Sequence, residues 1–324
     1  MGWQVYLARC ADGSLYTGVT TDPAARIRAH NTGRGAAYTR SRRPVTLVWS
    51  TPAPSRGEAL RREYRIKQWP RARKERLAVE GGGMAVERFE GFRPAGFDFL
   101  RKLRRNNRRD WFQRHKAVYE TEIRQPMAAL VEEVDARLGA AAPEITGEPR
   151  RSIFRIYRDT RFSRDKSPYK THAACWFYHR DSSRGVGREA ARGGAGYYFH
   201  VAPGECLLGG GIWMPPREDL NRIRDAIVQD PDRFRAILWA PAFRRRFRQL
   251  EEEGMLQRLP RGYPPASPAA PWLRHLSFIV SRRLTVREVQ SRRLPGILMR
   301  DFTVVLPLVR FLNEALGLGQ AERR

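Results

Sequence analysis

The chain has 324 residues, and 61 Lys+Arg against 34 Asp+Glu give it a formal net charge of +27. A surface of that sign attracts polyanions, so nucleic acid or an anionic membrane surface leads the list of expected partners. With 41% hydrophobic and 10% aromatic residues the chain can fill ordinary cores, which excludes global disorder.

In the first 80 residues, Trp3 to Arg9 alternates and is rich in β-formers, Asp12-Gly13 marks a turn, and Leu15 to Val19 is the second strand of a predicted hairpin. Thr21-Asp22-Pro23 supplies an N-cap and a proline at the first helical position, so a helix is predicted from Pro23 to His30. Val45 to Ser50 reads as a third strand, and Ser55 to Trp69 as a second helix stopped by Pro70. The order is β-β-α-β-α, a small mixed domain with a three-stranded antiparallel sheet. Gly81-Gly82-Gly83 cannot continue a helix cheaply, so residues 81–90 are expected to link a domain of residues 1–80 to one of residues 91–320. The first holds 16 Lys+Arg and 6 Asp+Glu, nearly twice the density of positive charge of the remainder.

The larger half opens with helical patterns at Phe97 to Arg105 and Trp111 to Leu138. Strand-like runs follow at Ser152 to Tyr157, His172 to Tyr178, Gly196 to Ala202 and Cys206 to Trp213. Helices return at Glu218 to Gln229, Asp232 to Trp239, Ala242 to Glu253 and Phe302 to Leu316, and Arg184 to Gly196 reads as a glycine-rich loop. Grouped helices, strands and helices indicate an α+β domain with an antiparallel sheet flanked by helices. No run approaches the roughly 18 to 20 apolar residues that span a bilayer. The chain shows no leader of basic start, apolar core and small-residue cleavage site, so no membrane is expected and the cytoplasm is the expected compartment. Cys10, Cys175 and Cys206 are odd in number, far apart and without a Cys-x-x-Cys pair, which fits buried small hydrophobes better than a disulfide framework or thiolate zinc site.

Glu63 is the most informative residue of the first half. At about 100° per residue it shares a helix face with Ala59 and Ile66, while Arg61, Arg62 and Arg65 cluster opposite. An inward carboxylate must be neutralised, either by a divalent ion that also holds a phosphate or by a salt bridge to Arg26. Arg26 and His30 lie four apart on the preceding helix, suited to gripping a phosphate and moving a proton near neutral pH. Tyr6 and Tyr16, one on each hairpin strand, can position a water or pack in the core.

Val5-Tyr6-Leu7, Tyr16-Thr17-Gly18, Arg26 to Gly33 with Tyr38-Thr39 and Arg43-Pro44 downstream, and Ala59-Leu60-Arg61-Arg62-Glu63-x-x-Ile66-Lys67 together resemble the GIY-YIG nuclease superfamily, above all its small single-domain bacterial branch. The resemblance spans about residues 3–77. It implies hydrolysis of DNA phosphodiesters with one divalent ion, magnesium or manganese. By that likeness Glu63 holds the metal, Tyr6 and Tyr16 orient or activate water, and Arg26 binds phosphate with His30 assisting. The sequence departs from the pattern in its Val-Tyr-Leu and Tyr-Thr-Gly tripeptides, and no Asn occurs between Asn31 and Asn106. A DNA-binding protein without activity is the alternative these departures leave open.

The run Arg155-Ile156-Tyr157-Arg158-Asp159-Thr160-Arg161, continued by Lys166 and Pro168-Tyr169-Lys170-Thr171-His172, can form an anion pocket from Arg155, Arg158, Arg161, Lys166 and Lys170, or a surface turn laced with ion pairs. With Asn106-Asn107-Arg108 before it and Gly209-Gly210-Gly211 after, it resembles a bacterial domain family of unknown function over about residues 97–316. That resemblance implies no activity; from the basic run itself, the second half is expected to bind nucleic acid or a phosphate-bearing ligand, or to be an enzyme that the first half targets. His172 and His200 fall on neighbouring predicted strands, a pairing that suits structure more than metal.

Overall fold

The computed structural model of the chain describes residues 2–53, 55–67, 69, 71–79, 89–161, 163–182 and 193–319. It divides into two units, Met1–Val86 and Glu87–Arg324. The three linker glycines and residues 184–192 of the glycine-rich loop lie outside the described residues.

In the first unit, β1 (Trp3–Arg9) lies between β2 (Leu15–Thr20) and β3 (Thr46–Ala53), antiparallel to both. A central strand buries both faces, and its two sets of side chains enter two different cores. Val5 and Leu7 pack with Trp49, Ala53, Ala59 and Ile66, whereas Tyr6 and Ala8 pack with Cys10, Val45, Tyr16 and Ile27. Helix α1 (Pro23–Asn31) starts where Asp22 accepts a hydrogen bond from the Ala25 amide at 3.0 Å. It is tied to the third strand by the Asn31 side chain, which donates to the Val45 carbonyl at 2.9 Å and accepts from its amide at 2.7 Å. A single turn, α2 (Ala37–Arg40), precedes β3, and α3 (Arg56–Lys67) and α4 (Arg71–Val79) follow it.

The second unit is also α+β. Phe89 and Phe92 are already part of its core, so that core takes in Phe89 from the stretch read as a linker. Its N-terminal helices are α5 (Pro94–Arg105), α6 (Arg109–Arg114), α7 (Lys116–Tyr119) and α8 (Gln125–Ala141). A five-stranded antiparallel sheet follows, in the order β4 (Ile145–Thr146), β5 (Ala173–His179), β6 (Gly196–Ala202), β7 (Glu205–Ile212), β8 (Phe278–Leu284), with the turn α9 (Pro149–Ser152) after β4. Helices α10 (Arg217–Gln229), α11 (Pro231–Trp239), α12 (Pro241–Phe247) and α13 (Ala270–Leu273) separate β7 from β8. The chain closes with α14 (Val286–Val289) and the long α15 (Leu294–Ala315). Helix α15 lies close on one face of the sheet: Tyr197 stacks on Phe302 with ring centroids 4.2 Å apart, and a Cβ at Gly210 would stand 2.8 Å from Val305.

Three expectations are corrected, and one strand, β8, was not foreseen. Trp111 to Leu138 is not one helix: it breaks at His115 and widens into a π-helical turn at Glu120–Arg124, because Pro126 has no amide to continue the α ladder. Ser152 to Tyr157 is not a strand. Pro149 starts a helical turn that ends at Ser152, and only isolated bridges, Ile153 to Cys175 and Tyr157 to Tyr169, follow. The helix from Ala242 stops at Phe247, where Arg248 adopts φ 64°. β8 escaped notice although Phe278, Val280 and Leu284 alternate inward along it. The three cysteines are free and buried, and among the described residues no helix is long and apolar enough to cross a membrane.

Candidate active site

The hairpin and α1 bring four of the five singled-out residues of the first unit into one cluster. Tyr6 is wholly buried, and its hydroxyl stands 2.7 Å from Nε2 of His30, also wholly buried. His30 Nδ1 is 2.6 Å from the Thr39 hydroxyl. That hydroxyl has one proton and donates it to the Ala36 carbonyl at 2.9 Å, so Nδ1 carries the imidazole proton and Nε2 is left to accept from Tyr6. The Ala36 amide, 3.4 Å from Nδ1, competes only weakly. Tyr16 sits against this pair, its ring 5.1 Å from that of His30 and 6.1 Å from that of Tyr6.

Gly18 explains how Tyr6 reaches this position. It is the cross-strand partner of Tyr6 on the edge strand β2, and a Cβ there would stand 2.7 Å from the phenol oxygen. Without a side chain at this point, the Tyr6 ring lies across β2.

Electrostatics set the protonation states. Burial, partly offset by a bond to Arg26, pushes the Tyr6 phenol up to about 12, with Tyr16 and Glu63 adding to the rise. Burial first and the Arg26 charge second hold His30 below the usual imidazole range. At neutral pH the cluster therefore holds a protonated phenol against a neutral imidazole. The bond to Tyr6 raises the pKa of Arg26, yet its Nε is buried without a partner. A buried guanidinium N–H left unmatched is a donor with unused hydrogen-bonding capacity.

Glu63, on α3, is near enough to act on Tyr6 electrostatically. Its side chain is 15% exposed, and it pairs with Lys67 at 2.8 Å, not with Arg26 as the salt-bridge alternative had it. Glu58 on the same helix differs: Arg62 at 3.0 Å and Arg61 at 3.3 Å neutralise it. Outward from the cluster, Tyr16 stacks on the exposed Tyr38 with centroids 6.1 Å apart, and the Arg42 guanidinium lies 4.3 Å from the Tyr38 ring centre. Sequence reasoning passed over Thr39, Lys67 and the Tyr38–Arg42 rim as functional positions. Thr39 lies nine residues beyond His30 with no periodic relation to it.

In the second unit the basic run does not converge on one point. Arg158 is paired with Asp165, Arg161 holds Asp159 with Nη2 at 2.7 Å, and Lys166 donates to the Thr160 carbonyl at 2.9 Å. Bonds from Arg161 hold Asp159 at about 2, and bonds from Ser167 first and Arg158 second hold Asp165 at about 2, both far below ordinary carboxyls. Arg155 and Lys170 form none of these pairs and lie near each other, with Arg155 close enough to Asp159 to act on its charge. His172 and His200 stack with centroids 5.3 Å apart, and among the described residues no group of three potential ligands forms a metal site.

Comparison with known proteins divides the chain at the same place. The GIY-YIG catalytic domain matches residues 2–76, and the conserved hypothetical protein family DUF2461 matches residues 95–311. A UPF0213 protein of Cronobacter sakazakii is 52% identical over 85 residues, 26% of this chain and 87% of that protein. The UPF0213 protein YhbQ of Escherichia coli is 49% identical over 83 residues, 26% of this chain and 83% of its own length. The solution structure of the UPF0213 protein BH0048 from Bacillus halodurans is 48% identical, covering 26% of this chain and 89% of that one, with a TM-score of 0.18.

Proposed function

We propose, from the premise that this chain belongs to the DUF2461 family through its larger unit and to the UPF0213 proteins with their GIY-YIG catalytic domain through its smaller one, that the smaller unit hydrolyses DNA phosphodiesters. The observation that carries this reading is the buried Tyr6–His30–Thr39 chain, together with an Arg26 Nε that has no partner.

The roles follow from protonation. Tyr6 takes a proton from the attacking water as its own passes to His30 Nε2, with Nδ1 already anchored on Thr39. Arg26 offers its orphan N–H to a phosphate oxygen, and Tyr16 beside it orients the water. The single carboxylate of Glu63 suits magnesium or manganese, which keep most of their waters and take few protein ligands alongside phosphate. Bound there, such an ion supplies positive charge to the phosphate and the departing oxygen. Lys67 gives way to it readily, because its side chain is 48% exposed and an exposed ion pair is weak. Tyr38 at the rim gives bases a ring, and Arg42, whose ion pair with Asp12 at 3.0 Å is exposed and weak, gives phosphates a cation. Of the five basic residues singled out in the second unit, Arg155 and Lys170 remain for an anionic ligand, since Arg158, Arg161 and Lys166 are engaged within the loop.

The direct test incubates the full chain with branched, nicked and linear DNA in magnesium, manganese or chelator. Cleavage of at least one substrate in either metal, and none in chelator, is expected. Binding without cleavage in every metal condition identifies the DNA-binding alternative instead. Gly18→Ala provides a second check. Its Cβ displaces the Tyr6 hydroxyl from His30, so the cleavage rate should fall at least about tenfold; a rate equal to wild type removes Tyr6 from the mechanism.

A further inference from the structure

The face of the second unit's sheet opposite α15 carries a pocket of about 610 Å³, within the roughly 300 to 1,000 Å³ of small-molecule sites. Strand register shapes it. Trp176, Tyr198, Gly209 and Ser281 stand opposite one another in β5, β6, β7 and β8, so they form a single row across the sheet. At about 4.8 Å per strand the row is about 14 Å long. Two aromatic rings occupy one end, a hydroxyl the other, and the position between them has no side chain. A Cβ at Gly209 would stand 2.7 Å from the Val280 carbonyl oxygen, so the floor there is bare backbone.

Phe154 completes the aromatic bank, its ring 6.3 Å from that of Trp176 and 6.1 Å from that of Tyr198. Lys170 Nζ lies 5.2 Å from the centre of the Phe154 ring and lines the same pocket. No carboxylate among the described residues pairs with this ammonium. Burial, and then Arg155 beside it, hold its pKa below the usual lysine value, the mark of a cation short of a counter-charge. On the far bank the Ser281 hydroxyl donates to Glu251, fixing a carboxylate that accepts hydrogen bonds.

We propose that this face binds a small aromatic anion, its planar ring lying against Trp176, Tyr198 and Phe154 and its phosphate or carboxylate on Lys170. The aromatic bank and bare floor admit a flat ring, and the unpaired ammonium at the bank's edge selects for charge. Nucleoside monophosphates and aromatic carboxylic acids share this chemistry. The site takes Lys170 from the basic loop and owes nothing to phosphodiester cleavage in the smaller unit.

Calorimetric titration of the full chain with adenosine and guanosine 5′-monophosphates, indole-3-acetate, the uncharged adenosine and inorganic phosphate tests it. At least one ring-bearing anion is expected to bind about tenfold or more tightly than adenosine or phosphate, and which one binds distinguishes a nucleotide from an aromatic acid. Lys170→Met should weaken that ligand about tenfold or more and leave adenosine unchanged, Lys170→Arg should keep the affinity, and Trp176→Ala should weaken anion and adenosine alike. Binding of phosphate as tight as that of any ring-bearing anion would support the basic loop alone and overturn the aromatic site. So would equal affinity in Lys170→Met, loss in both Lys170 variants, or no binding by any ring-bearing anion.

Discussion

Glu63→Gln should reduce metal-dependent DNA cleavage by about a thousandfold, the effect of losing several kcal/mol of charge stabilisation in the transition state. Glutamine keeps the volume and removes the charge. The fold should tolerate it, since Glu63 pairs with an exposed lysine, Lys67, at 2.8 Å, and surface pairs of this kind contribute little. Glu58→Gln is the internal control. Its carboxylate is buried and held by the half-buried Arg61 and Arg62, so the substitution removes the buried charge that both arginines bind and should lower the melting temperature while sparing the rate per folded molecule. The two variants thus separate a carboxylate used for chemistry from one used for structure on the same helix. Rates are measured at saturating magnesium with melting curves in parallel. A Glu63→Gln protein that cuts within tenfold of wild type would show that Glu63 is not the metal ligand.

What the sequence disclosed about this site depended on whether a local signal existed. The N-cap at Asp22, the proline after it and the alternation of β1 are short-range features, so the hairpin and first helix were legible. Glu63 stood out because helical periodicity alone turns it toward Ala59 and Ile66, and it is indeed largely buried. Its partner was not legible, because Lys67 and Arg26 are both within plausible reach and only packing decides between them. Tyr6 gave the subtler lesson. Period two places it opposite Val5 and Leu7 but leaves open whether it positions a water or packs in the core; because β1 is the middle strand, the face away from Val5 is covered as well. Thr39 belonged to the quoted motif, but its role was not legible, because that role comes from the backbone path after α1, which returns it to Nδ1 of His30. In the larger unit, the basic run carried its own carboxylates, and composition alone could not tell that Asp159 and Asp165 bind Arg161 and Arg158 while Lys170 turns to Phe154.

Tyr6→Phe should lower the cleavage rate by about a hundredfold to ten-thousandfold, the usual range for losing a positioned proton acceptor or donor. The loss should fall on kcat more than on KM, because a wholly buried ring contributes little to DNA affinity. The accompanying pH profile is the sharper measurement. With the phenol pushed up to about 12, Tyr6 keeps its proton throughout the neutral range and can act only by passing it to His30. Cleavage must then follow the fraction of neutral imidazole, rising with pH on the acid side. Burial and Arg26 lower the His30 pKa, so that rise should be complete near or below the ordinary imidazole value of about 6.5, with a plateau above it. Stability runs in the same direction. Below about pH 6.5 the unfolded chain binds a proton at this histidine that the folded chain resists, so the contribution is full above that value and fades as pH falls through the lowered folded pKa. His30→Gln should therefore flatten the acid limb and lower the plateau, while keeping an amide able to accept from Tyr6 and bond Thr39. An acid limb centred above the ordinary imidazole value, or a Tyr6→Phe protein with wild-type kcat, would mean that the proton leaves the attacking water by a route outside this buried chain.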